Sequence, residues 1–416
     1  MNLNTLQAFR HGVYSSMKKA QDALFNIVDA LASEERAHSL PELSLSPSFQ
    51  RKWPSIYEAL EDGRIESGEL RRVFIKHLPV RHPLPLIAVD STGISRPKAR
   101  TSADRSPQYV HNLPEKPSGA TYVLDQRRVD TSTTAIQLAY QQLSAVACQV
   151  PKETIALLDR GYDSAWLWCK LSTLPIKGSL IRLKSNRCFY RPAPPPTGKR
   201  GAPRKRGDKL QPHDPTTHTA PSGQWQGQDH AGKLVQVVWW QQMTLKDADW
   251  LPLTVIRVDR PQAAKTKRDP RSSWFVWIGD QQAAIAVVAL CYIHRFSHEH
   301  DYRFDKQSLL WEDVRVRTPE QFERWSQLVA ITHNLLVLSR DLVEPSLRPW
   351  ENRHREPTLQ QVRRGMSKLL SELGTPARPP QPRGKSPGRA KGVKIGKAER
   401  FPVVRKTPKG PKLELI

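Results

Sequence analysis

The stretch YIHRFSHEHDYRFDK, Tyr292 to Lys306, places Tyr292, Arg295, Glu299 and Lys306 at offsets 0, 3, 7 and 14. At roughly 100° per helical residue these fall near 0°, 300°, 340° and 320°, one narrow stripe of a single helix. A surface ion-pair face has this composition, and so has a metal-binding carboxylate with phosphate-gripping neighbours. Two further acids bear on the choice. Asp90 ends the apolar run PLIAV, and Asp159 ends TIALL. Acids at the carboxyl ends of strands in one open sheet point into the crevice where α/β folds place ligands. One such Asp is commonly a turn former or N-cap. Two, with Glu299 on a basic stripe, favour a site of hard oxygen donors suited to Mg²⁺ or Mn²⁺. His294 and His298, four apart beside Glu299, offer a zinc alternative. The HExxH pattern is absent, however, and both histidines project off the stripe, at about 200° and 240°.

Positioning these side chains requires a sheet and a helix. Residues 1 to about 80 read as helices, with helical apolar spacing in QDALFNIVDALASEE and SIYEALEDGRIESGELRRVFIKHL. From Leu84 the character changes. PLPLIAVDST, SPQYVHNL and ATYVLDQRRV read as strands, TTAIQLAYQQLSAVAC as a helix, TIALLD as a strand, DSAWLWCKLSTL as a helix and GSLIRLKS as a strand. The order β-β-β-α-β-α-β predicts an α/β layer fold with a mixed sheet over residues 84–184. A β-rich insertion, 185–280, interrupts it. Its start, RPAPPPTGKRGAPRKRGDKLQPHDP, is too rich in proline and charge to pack and reads as an exposed basic loop. LVQVVWWQQMTL, LPLTVIRVDR and SSWFVWIGD then read as three strands. The helix carrying Glu299 begins near Gln282 and PEQFERWSQLVAITHNLLVLSRDLV follows it, so that 281–345 resumes the interrupted layer. Residues 375–416 read as a disordered basic tail.

The totals narrow the partner. Lys and Arg number 65 against 40 acids among 416 residues, a formal charge of +25, which points to a polyanion, most simply nucleic acid. No apolar run near 18 residues and no signal-peptide core stands in the chain, so no membrane partner is expected. Cys148, Cys169, Cys188 and Cys291 lie far apart without a CxxC pair, which fits a reducing cytoplasm better than a disulfide framework or zinc ribbon.

These residues together carry a resemblance. Tyr292-x2-Arg295-x3-Glu299-x6-Lys306 matches the Y(2)R(3)E(6)K signature of bacterial insertion-sequence transposases of the DDE superfamily. VDST around Asp90 and LDRGYDS around Asp159 resemble that family's first two acid motifs, and the three blocks stand in order across about 84–310. The resemblance implies an RNase H-like catalytic core with a β-rich insertion, preceded by a helical N-terminal DNA-binding region. It implies Asp90, Asp159 and Glu299 as catalytic metal ligands, for a pair of Mg²⁺ or Mn²⁺ ions. Arg295 and Lys306 would bind phosphate, Arg as a fork and Lys as a point charge. Tyr292 would either donate to a phosphate or pack to hold the helix. The implied activity is cleavage of DNA at element ends and their joining to target DNA. Double-stranded DNA would be the partner, with a homodimer on the DNA and a cytoplasmic, nucleoid-associated location. A metal-dependent nuclease without strand transfer, and a non-catalytic DNA-binding descendant, are the alternatives. KRGAPRKRG, residues 199–207, resembles a minor-groove hook except at Ala202. Trp225, Trp239, Trp240, Trp274 and Trp277 stand in the insertion, where related transposases keep a base-stacking aromatic. WW on a strand should place one ring on each face.

Overall fold

Helical periodicity in the first 80 residues becomes α1 (Leu3–Ser16), α2 (Gln21–Ser33), α3 (Leu40–Leu43), α4 (Pro54–Asp62) and α5 (Ser67–Lys76). The antiparallel pair β1 (Met17–Lys19) and β2 (Arg64–Ile65) links them. The α/β region follows as β3 (Leu86–Val89), α6 (Ala135–Ala147), β4 (Ile155–Leu158), α7 (Ala165–Leu171) and β5 (Gly178–Arg182). Next come β6 (Phe189–Tyr190), β7 (Lys209–Leu210), β8 (Gly223–Gln228), β9 (Leu234–Leu245), β10 (Ala248–Asp259) and β11 (Ser272–Gly279). The chain continues with α8 (Ile285–Cys291), α9 (Ser297–Ser308), α10 (Pro319–Ser339) and α11 (Leu359–Leu373). The structure, a computed structural model, describes residues 1–79, 84–95, 101, 121–195, 204–229, 232–263, 271–352, 354, 356–381, 388, 390–393, 396 and 399–404.

The architecture is mixed α/β with a helical N-terminus. One sheet runs in the order β3-β4-β5-β11-β10-β9-β6-β7, with β8 also on β9. β3, β4 and β5 are parallel, and β11 is antiparallel to β5. The insertion strands therefore extend the same sheet. TIALL is apolar at every position because both faces of β4 are covered. Ala156 and Leu158 meet α6 and α7 through Leu143, Leu167 and Trp168; Ile155 and Leu157 meet Ile285 and Val288 of α8. Trp240 packs on the first of these faces and Trp239 on the other, as alternation on a strand requires.

The N-terminal helices do not close a core among themselves. Leu6, Phe9, Leu24, Phe25 and Ile56 pack with Trp325 and Leu335 of α10 and with Val362 and Met366 of α11. Two buried arginines add polar ties: Arg10 pairs with Asp29 and donates to the Gly374 carbonyl at 2.9 Å, and Arg363 of α11 donates to the Leu31 and Ser308 carbonyls.

Three expectations need correction or fall outside the described residues. ATYVLDQRRV does not form a strand over 121–129. Its backbone groups find side chains instead of a neighbouring strand. The Thr121 N–H donates to Asp301 at 2.6 Å, and Asn334 of α10 both accepts from the Val123 N–H and donates to the Val123 carbonyl. SPQYVHNL lies outside the described residues, as do 199–203 of the basic loop. The tail is docked where it begins: Ala377 is buried in the helical core, and the Arg378 N–H donates to Asp22 at 2.9 Å.

Candidate active site

Register brings the two strand-end acids together. Val89 of β3 is opposite Leu158 of β4, so the next residues, Asp90 and Asp159, leave adjacent strands side by side. Each divides its oxygens between two tasks. Asp90 Oδ1 accepts from the Ser91 N–H at 2.9 Å, and Asp159 Oδ1 accepts from Gly161 at 2.8 Å, capping the 3₁₀ turn Arg160–Tyr162. The turn-forming role and the site role are thus held by the same side chains, because each Oδ2 faces Arg295.

The expected single helix over Tyr292–Lys306 is broken. Tyr292–Phe296 is a 3₁₀ turn between α8 and α9. Residues three apart eclipse in that geometry, which puts the Arg295 guanidinium 6.0 Å from the Tyr292 ring centre, with Phe296 at 5.8 Å. Arg295 Nη2 lies 3.2 Å from Asp90 Oδ2 and 3.7 Å from Asp159 Oδ2, while Nη1 lies 3.5 Å from Glu299 Oε1. Three carboxylates from two parallel strands and a helix therefore surround one guanidinium. The Arg295 side chain is only 7% exposed and Asp90 13%, against 35% for Asp159 and 22% for Glu299, so Asp159 and Glu299 rim the site and the Arg295–Asp90 pair is its floor.

Burial sets the protonation of the innermost acid. Burial pushes the Asp90 carboxyl up to about 6; the Asp159 and Glu299 charges push the same way, and Arg295 opposes them. Burial beside the cationic Arg295 and His333 pushes His298 down to about 4, so its imidazole is neutral.

Tyr292 and Lys306 are occupied otherwise than by an open phosphate site. The Tyr292 ring is buried against Phe275, 4.7 Å between centroids, which is the packing role of the two expected. Lys306 donates to the Gly93 carbonyl at 2.6 Å and pairs with Glu312 at 3.1 Å. Two tyrosines not singled out from the sequence join the site: Tyr302 reaches the Asp90 carbonyl at 3.4 Å, and the Tyr162 hydroxyl pKa is raised first by burial and then by the Asp90 charge. Tyr162 sits in LDRGYDS three residues after Asp159, a spacing that brings a 3₁₀ residue back over its cap. A cavity of about 1640 Å³ opens on the far side of β3. Asp90, Tyr162, His298 and Tyr302 line it, and Asp159, Glu299 and Arg295 do not.

The donor set fits a hard divalent ion chemically, since every candidate ligand is a carboxylate oxygen, and the acids already converge on a cation. Arg295 Nε is buried without a hydrogen-bond partner, a donor that a phosphate oxygen would satisfy. The acids are spread around the guanidinium, and no group of three or more His, Cys, Asp or Glu among the described residues is arranged to hold a metal ion. Nor do His294 and His298 find a third ligand there.

Residues 12–124 match the family described as DDE superfamily endonuclease. The matched stretch runs from α1 past β3 and contains Asp90; Asp159 and Glu299 lie beyond it. The match covers about a quarter of the chain. No curated protein matches the chain. No helix among the described residues is long and apolar enough to cross a membrane.

Proposed function

We propose that this protein is a DNA transposase of the DDE type, which cleaves DNA at the ends of an insertion sequence and joins them to target DNA. The observation that carries the reading is the convergence of Asp90, Asp159 and Glu299 on Arg295. On this reading 84–184 and 281–345 form an RNase H-like core, 185–280 is its β-rich insertion, and 1–80 contributes to DNA binding.

Asp90, Asp159 and Glu299 would hold Mg²⁺ or Mn²⁺. The chemistry such cations would supply there is activation of water and offset of charge at a phosphodiester. The protein's own groups supply the rest. Arg295 carries a permanent charge and a planar fork of donors, so it can hold a phosphate oxygen while the carboxylates keep its plane fixed. Tyr162 and Tyr302 stand beside Asp90 on the wall of the cavity, where their rings flank the carboxylate. Lys306 acts through the loop after β3, holding Gly93, rather than by touching substrate. The net +25 supplies non-specific attraction to duplex DNA.

The test uses the full chain and a plasmid carrying candidate element ends, with Mg²⁺ or Mn²⁺ and, separately, with EDTA. Nicked and end-joined products that depend on the divalent ion support the reading. Nicks without joined products indicate a nuclease lacking strand transfer. Duplex binding without cleavage in either metal indicates a non-catalytic DNA-binding protein.

A further inference from the structure

α10 is apolar and buried along most of its length, yet His333 and Asn334 stand in its C-terminal half with no exposed surface. Both ring nitrogens of His333 are engaged: Nδ1 lies 2.8 Å from Asp305 Oδ1, and Nε2 lies 2.9 Å from the Thr121 carbonyl. A carbonyl only accepts, and an ionised carboxylate only accepts. An imidazolium, with two N–H donors, is therefore the form that satisfies both partners. The same conclusion follows from the neighbouring charges, which raise its pKa to about 9 despite complete burial. Asp301 completes the network by accepting from the Thr121 N–H and hydroxyl.

The position of this network on α9 gives it a consequence. Measured around the helix from Glu299, Asp301 and Asp305 fall at roughly 200° and 240°. They occupy the back of the helix whose front carries Glu299. Resting on the function proposed above, we infer that His333 is a positioning residue: through Asp305 and Thr121 it clamps the back of α9 so that Glu299 faces Asp90 and Asp159. On a rotated α9 the Glu299 carboxylate would turn away from Asp90 and Asp159 on the strands, and supporting contacts of this kind commonly carry about 10–100-fold in activity. The groups facing His333 are Asp305, Asp301 and His298 on α9 and the Thr121 carbonyl.

The test must separate positioning from mere stability. In the double variant H333L/D305L a buried ion pair gives way to apolar side chains, an exchange that is often neutral for stability. We expect it to melt with the wild type and bind duplex DNA within about twofold, yet cleave at least tenfold more slowly. Hydrogen exchange across 297–308 should rise about tenfold while α10 stays protected. If the double variant fails to fold, D305N replaces it. There the carboxylate no longer holds the second proton, and the alkaline fall in cleavage rate should move to lower pH. Wild-type cleavage with wild-type exchange in H333L/D305L, or an unmoved alkaline limb in D305N, would overturn the clamp. A wild-type protein that cleaves no DNA sinks the function reading instead, and the exchange of α9 still judges the clamp.

Discussion

Arg295 Nη2 stands 3.2 Å from Asp90 Oδ2, across 205 residues of sequence. A guanidinium in the middle of three acids and a divalent ion held by the same acids draw on the same oxygens. Arg295→Ala should therefore tighten Mn²⁺ binding, by about tenfold or more for removal of a close like charge. It should also lower cleavage by at least about 100-fold, since the phosphate fork is lost. Manganese titration followed by electron paramagnetic resonance reads the first effect. Weaker binding would mean that Arg295 organises the carboxylates rather than competing for them.

Asp159 carries two separable jobs. Asp159→Asn keeps an oxygen for the Gly161 N–H and should melt as the wild type does while losing cleavage by at least about 100-fold. Asp159→Ala should lose cleavage equally and, in addition, about 1 kcal/mol of stability from the uncapped turn. Equal melting of both variants would remove the capping role; cleavage by either would remove Asp159 from the chemistry.

For Lys306 the contacts to Gly93 and Glu312 make a definite forecast. Lys306→Ala should cost about 1 kcal/mol of stability and leave the salt dependence of DNA binding as it was. A phosphate contact would instead flatten the slope of log K against log salt by about 1. Binding isotherms at several salt concentrations decide between them.

The basic tail divides at Arg378. Residues 379–416 hold eleven Lys or Arg against Glu399 and Glu414. Their deletion should flatten the salt slope by about 3–4 if about four charges meet phosphates. Deleting from residue 375 also removes buried Ala377 and the Arg378 contacts to Asp22 and Arg51, and should lower stability by about 1–3 kcal/mol. Identical melting of the two truncations would contradict the docked tail start.

His333 makes stability fall on the alkaline side. Its folded pKa of about 9 lies above the ordinary histidine value of about 6.5. Below pH 6.5 the proton is bound in folded and unfolded chains alike, and the stabilisation is complete. As pH rises the unfolded chain releases it first, and the contribution is gone once pH passes about 9. Urea melts at pH 6, 8 and 10 should show this decline in the wild type and a flatter profile in H333L/D305L.

Much of the fold was legible because its signals are local. TIALL and LIAV are short, wholly apolar and followed by an acid; the runs became β4 and β3, with Asp159 and Asp90 just past their ends. Helical spacing in TTAIQLAYQQLSAVAC carries its own capping box, Thr134 with Gln137, and became α6. The break at Tyr292–Phe296 was not legible, because a period of 3.0 and one of 3.6 differ by too little over five residues to show in side-chain type.

The sequence by itself thus determined the apolar strands β3, β4 and β5 and the helix α6 between them, that Asp90 and Asp159 follow strands, and that the chain carries a large positive charge. Tertiary structure alone decided the rest. Parallel pairing of Val89 with Leu158 put the two acids side by side, and the 3₁₀ turn aimed Arg295 among them rather than along a stripe with Lys306. Residues 121–129, strand-like in composition, took their hydrogen bonds from Asp301, His333 and Asn334, about 180 residues away or more. Periodicity reports which face of a segment is apolar. Where its backbone and charged groups find partners depends on what packing brings near them, and a buried polar group takes whichever partner it meets.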